Sequence, residues 1–256
     1  MSVVQTDKWL EKHYTDPIKL CAQLEEYFDQ VSAKDIHQYL SFYGMYLKPS
    51  IPKNKIIESM NALDVWNMIR KEENLLRKEW SAPSIPIFIF PSEKRNRKLM
   101  RDSGGKSGVA FKDKLFLFVS EHLTKSEIQA LFTHEYNHIA RLHHYRKKEQ
   151  TLLDSIVLEG LAENAVRERL GEKYLASWTT YYSETQLENM WKKLLLPSIH
   201  QKKSNPKHDT LLFGLKLYPK MVGYAVGYHI VKRYIVKYEL NVKDLLPLPS
   251  RKIAMI

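Results

Sequence analysis

The residues His134-Glu135-Tyr136-Asn137-His138, followed 21 positions after the second histidine by Glu159-Gly160-Leu161-Ala162-Glu163, have the types and spacing for metal-assisted hydrolysis. On a helix, positions i and i+4 lie about 40° apart round the axis and one turn apart along it, so the imidazoles of His134 and His138 converge on one cation. Glu135 lies about 100° round from His134. That puts its carboxylate beside a metal-activated water instead of on the metal, where it can act as general base. A catalytic Zn2+ needs a third protein ligand and an open fourth position, and two histidines on one helix cannot supply both.

The elements needed to bring that third ligand in are readable. Thr124 with Glu127 forms a capping box that opens the histidine helix, and Thr151 with Asp154 forms one for a second helix that stops at Gly171. Arg146-Lys147-Lys148-Glu149-Gln150 is the reversal between them. Along the second helix Leu152, Ile156, Glu159, Glu163, Val166 and Leu170 share one stripe, so two carboxylates fall among residues expected to face a core. A buried carboxylate needs a cation or hydrogen-bond donors. Glu159 as the third metal ligand, and Glu163 accepting the second ring N–H of a ligating histidine, satisfy both; an ion pair of Glu163 with Arg141 or Arg167 is the competing reading.

A second ligand set competes. His144 stands six residues after His138, which fits the three-histidine pattern HExxHxxGxxH except that Arg141 occupies the glycine position. Without that glycine a continuing helix points His144 about 240° away from His138. His143 and His144 then read as a solvated helix end that complements the C-terminal dipole.

The pair HEYNH and EGLAE resembles the gluzincin class of zinc peptidases, in which HExxH on one helix is completed by a glutamate on the next. More closely, the chain resembles the bacterial YjaZ-like family of predicted zinc-dependent proteases, which also carries a Gly-Tyr-rich helix near the C-terminus. Here that helix is Gly223-Tyr224-Ala225-Val226-Gly227-Tyr228-His229. The resemblance runs from about Pro83 onward and implies a zincin-like fold with a peptide or protein substrate. It also implies an edge strand that pairs with extended substrate, matched here to Ser107–Phe111 with Gly108, Val109 and Ala110 at its centre. An oxyanion donor downstream of the glutamate helix is implied too, with Tyr224 first and Tyr228 and His208 after it.

Composition bounds the alternatives. With Cys21 the only cysteine there is no disulfide framework, and residues 1–17 carry charges throughout with no signal-peptide core. The apolar stretch Met221–Val231 is far short of the about 20 residues that span a bilayer, so the expectation is a cytoplasmic protein without a membrane partner. The net charge of +11 raises nucleic acid, but the basic clusters at 94–98, 146–148 and 201–203 sit in loops with no interleaved aromatics, so no nucleic-acid partner is expected. Gly104-Gly105-Lys106-Ser107 fails as a phosphate loop because Met100 stands where its first glycine is required.

The fold class expected is α+β and mainly helical, with a helical region at 1–82 and a zincin-like catalytic domain at 83–256. Asp16-Pro17 opens one helix, Ser32 with Asp35 opens another that stops near Gly44, and a long helix runs from Pro52 to about Trp80. Residues 85–90, 107–111 and 115–119 predict a small antiparallel-rich sheet before the HExxH helix. Helix is expected over 178–196, a polar loop over 201–209, helix again over 219–238, and an extended tail at 246–249. The function expected is peptide hydrolysis by a zinc peptidase of the HExxH…E type. The alternative is a non-catalytic interaction protein on the same scaffold that binds an acidic partner or peptide.

Overall fold

A computed structural model describes residues 2–256, with the backbone alone at 98, 102 and 103. The chain is mainly helical with one three-stranded sheet, and it divides into two compact units, Met1–Lys78 with Ser84–Tyr136, and Glu79–Pro83 with Asn137–Ile256.

The first unit opens with α1 (Thr6–His13), α2 (Pro17–Ala22), α3 (Ala33–Phe42), α4 (Lys53–Ala62) and α5 (Val65–Glu79). The Asp16 and Ser32 side chains accept the amides of Lys19 and Asp35, the capping that opens α2 and α3. The long helix expected from Pro52 is two, because Asp64 takes a left-handed φ of 53° between α4 and α5. An aspartate tolerates that conformation, and its carboxylate accepts from Nδ2 of the Asn67 side chain. Cys21, on α2, is fully buried, its thiol pushed up to about 12 by desolvation.

The sheet comprises β1 (Ile87–Pro91), β2 (Ser107–Ala110) and β3 (Leu115–Val119), with β3 in the centre. It is mixed, in contrast to the antiparallel-rich sheet expected. β2 and β3 form an antiparallel hairpin closed by the Phe111 amide on the Lys114 carbonyl, whereas β1 runs parallel to β3. The reason lies in the connection: between β1 and the hairpin the chain crosses through α6 (Arg97–Ser103), which returns it to the same end of the sheet. β1 and β3 are buried throughout, as continuous apolar runs in a parallel pair should be, and Phe88 stacks on its partner Phe116 with centroids 4.8 Å apart. The outer edge of β1 is occupied by residues 2–4. β2 is half-buried along its length, and no strand pairs with its outer edge among the described residues.

The helix α7 (Lys125–His144) follows the sheet and is continuous for 20 residues. Glu127 accepts both the amide and the hydroxyl of Thr124, closing its capping box. The second unit is built round α8 (Leu152–Leu170), followed by α9 (Glu184–Met190), α10 (Pro206–Phe213), α11 (Val222–Tyr238), α12 (Val242–Leu245) and α13 (Ser250–Ile253). α8 has its Thr151–Asp154 capping box and ends at Gly171. It is buried on nearly every side from Leu152 to Val166, not along one stripe, because α10, α12 and α13 pack on it as well as α11, which approaches most closely. The stretch 178–196 is helical only in pieces, with a π-turn over Trp191–Leu195 between α9 and a 3₁₀ turn. α10 begins at Pro206, inside the expected polar loop. Among the described residues no helix is long and apolar enough to cross a membrane.

Candidate metal centre

Within α7, residues 134 and 138 keep the helical i, i+4 relation. His138 and Glu135 are nearly buried. From α8, Glu159 brings Oε2 to 3.6 Å from His138 Nε2. One ligand atom from each of His134, His138 and Glu159 lies within 4.8 Å of the others, and among the described residues this is the group of histidine and acidic side chains arranged to hold a metal ion. Ligands about 2.1 Å from a tetrahedral ion lie about 3.4 Å apart. The His138–Glu159 separation fits that spacing, and two imidazoles with one carboxylate are a donor set that zinc accepts with a position left open.

Glu135 is held in a different way. Gly108 of β2 lies against it, so that a Cβ added there would sit 2.5 Å from Glu135 Cγ, 2.7 Å from Cδ and 2.8 Å from Oε1. β2 itself is pinned at its start, where Ser107 Oγ donates to the Tyr43 carbonyl at 2.7 Å and packs on Gly44.

The placement of Glu159 depends on how α8 meets α11. A Cβ on Gly160 would run into the carbonyl of Gly227, and one on Gly227 into the carbonyl of Ile156, so the two backbones touch where both residues lack side chains. Asn164 ties the crossing by donating to the Gly160 carbonyl at 2.8 Å and to the Tyr228 carbonyl at 3.1 Å. Glycine inside a helical pattern is the sequence signal for such an approach. The part played by Asn164 has no such signal.

Glu163, one turn after Glu159, is buried and accepts the Ala176 amide at 2.5 Å. Tyr224 is half-buried, edge-on to Trp178 at 5.4 Å and tilted over Phe213 at 5.6 Å. Tyr228 is buried, and desolvation pushes its hydroxyl up to about 12. His208 is fully buried in α10, where Nε2 meets Ser155 Oγ at 2.9 Å and Nδ1 meets Asp209 Oδ1 at 2.7 Å.

His144 Nε2 lies 2.6 Å from the Trp80 carbonyl, a bond that requires the ring to donate. Neither His143 nor His144 belongs to the group formed by His134, His138 and Glu159. Arg141, at the position where a three-histidine site needs glycine, is 3 % exposed and donates to the carbonyls of Leu245, Leu246 and Leu248 and to Ser250 Oγ. Residues 246–249, expected as an extended tail, instead turn between α12 and α13. Their carbonyls accept a buried guanidinium whose pKa desolvation lowers to about 10. This role of Arg141 is invisible in the sequence, since its partners lie more than 100 positions away.

Residues 65–255 match the family described as Predicted Zn-dependent protease (DUF2268). The chain belongs to this family. Uncharacterized protein YjaZ of Bacillus subtilis (strain 168) is 39% identical to it over 262 residues, covering 98% of this chain and 97% of that protein. Uncharacterized protein YjfC of the same organism is 23% identical over 138 residues, covering 49% of this chain and 46% of that protein. No solved structure matches the chain. The family match takes in α7, α8, α11 and the sheet, and so every residue of the centre described above.

Proposed function

We propose that this chain is a zinc-dependent peptidase of the gluzincin type, with a zincin-like fold and a general base at Glu135. The observation that carries the reading is the convergence of His134, His138 and Glu159 donor atoms within 4.8 Å, with the carboxylate of the intervening Glu135 laid against Gly108 of an open-edged strand. Zinc held by the two imidazoles and the Glu159 carboxylate would polarise a scissile carbonyl and make a bound water acidic.

The chain's own residues do the rest. Glu135 accepts the proton of the attacking water and delivers it to the leaving amine. An extended peptide pairs with the free edge of β2 through the backbone of Gly108, Val109 and Ala110, which holds the substrate by its main chain and not by one side chain. Tyr224 donates its hydroxyl to the oxygen that becomes negative in the transition state. Glu163 accepts a ring N–H from a ligating histidine while it also holds the Ala176 amide, orienting that ring. In this reading residues 83–256 are the catalytic domain, 1–82 are a helical region that adds no reacting group, and the protein works in the bacterial cytoplasm.

A digest of a mixed peptide library by purified protein tests this. Cleavage that stops on chelation, returns with zinc, and is absent in Glu135→Gln is the expected result. Absence of cleavage by zinc-loaded protein, together with capture of intact peptides, would favour a non-catalytic scaffold.

A further inference from the structure

Glycine at position 108 is not required by backbone conformation, because it lies in a regular antiparallel register opposite Leu117 and outside the left-handed region. It is required by space. All three of the nearest atoms that a Cβ there would meet, Cγ, Cδ and Oε1, belong to one side chain, Glu135, and all three lie under 3.0 Å. By contrast Gly104 and Gly171 have nothing within 4 Å, and their need for glycine is a positive φ of 62° and 86°. Position 108 is thus a notch in the edge strand with the shape of one carboxylate arm.

We propose that Gly108 is the positioning residue for Glu135, holding the carboxylate in place by the absence of a side chain. The proposal rests on the reading of Glu135 as general base. A Glu side chain is flexible, so a methyl at 108 would be accommodated by rotating Glu135 about its first side-chain torsion, which carries Cγ and the carboxylate out of the notch together, and not by unfolding the strand. The metal ligands are untouched by that movement. A base misplaced by about 1 Å costs on the order of 10²-fold in rate. The expected effect therefore falls on turnover, with metal content unchanged and substrate affinity little changed, because alanine keeps the backbone N–H and C=O through which position 108 would pair with a peptide.

The test compares wild type with Gly108→Ala, each zinc-loaded, by crystallography, by metal analysis and by turnover of an internally quenched peptide library. Expected in Gly108→Ala are a Glu135 carboxylate displaced by at least about 1 Å, zinc still near one per chain, KM within about threefold, and kcat lower by about 100-fold. A carboxylate that stays in place, or one that moves while kcat is unchanged, overturns the proposal. Shortening the arm supplies a second variant. Added to Gly108→Ala, the change Glu135→Asp should cost much less than it does in wild type, and additive effects of the two changes would also overturn the proposal. Should Gly108→Ala lower Tm, Glu135→Ala in the same chain must restore it, and failure to restore counts against the contact. Wild type that hydrolyses no peptide, with Glu135 still displaced in Gly108→Ala, leaves the placement standing and sinks the peptidase reading instead.

Discussion

Glu135 and Glu159 are carboxylates of α7 and α8 with little exposure, yet the proposed roles require opposite behaviour toward metal. Glu159 is 3.6 Å from a ring nitrogen of His138 and would be lost as a ligand on truncation. His134→Ala and Glu159→Ala are therefore each expected to leave less than about a tenth of a zinc per chain by atomic absorption after dialysis. Zinc kept by Glu159→Ala and lost by His144→Ala would reverse the ligand choice. Glu135→Gln keeps the volume of the side chain and removes its basicity, so zinc should stay near one per chain while kcat falls by about 10³-fold or more. At this scale the sequence is informative because i, i+4 geometry is local, which makes His134 and His138 readable as a pair. Arg141 shows where that stops: its replacement of a motif glycine argues against a third histidine, but its clamp on the carbonyls of 245, 246 and 248 is long-range.

Between elements, the crossing of α8 and α11 is the feature that sets where Glu159 lies. Gly160→Ala pushes a methyl onto the Gly227 carbonyl, and a backbone atom cannot move aside as a side-chain end can. Overpacking of this kind costs about 3 kcal/mol, or about 10 °C in Tm for a chain of this size. Gly104→Ala, with open space and a left-handed backbone of φ 62° and ψ 21°, should cost only about 1 kcal/mol. Differential scanning calorimetry of the two variants checks the contrast, and equal losses would contradict the close helix approach. Helix starts are legible because capping joins residues only three positions apart, as at Asp16, Ser32, Thr124 and Thr151. Strand pairing is not, because the parallel partnership of β1 with β3 depends on the path of the chain between them through α6. The break at Asp64 is equally hidden, since aspartate is ordinary within helices and only its left-handed φ separates α4 from α5.

For the whole molecule, acid stability should report on Asp154. Burial by itself would raise this carboxyl, but hydrogen bonds from Lys147, Ser250 and Thr151 outweigh it and hold its pKa below the ordinary range. A carboxylate with a depressed folded pKa contributes stability that is fully present above its unfolded value, about 3.9, and lost as pH falls through the lower folded value. Wild type should therefore lose stability more steeply than Asp154→Asn below about pH 4, with the variant lower in Tm at pH 7 by an amount equivalent to about 2 kcal/mol. Parallel Tm-against-pH curves for the two would show that the clamp on Asp154 contributes nothing.

In the proposed enzyme His134, His138 and Glu159 hold one zinc ion beside Glu135. Anomalous diffraction from crystals of the full chain, collected on both sides of the zinc absorption edge, tests it most directly. One edge-dependent peak bounded by His134, His138 and Glu159, with Glu135 beside it and not on it, is the predicted result. A peak bounded by His144 in place of Glu159, or no peak in zinc-supplemented crystals, would contradict the account.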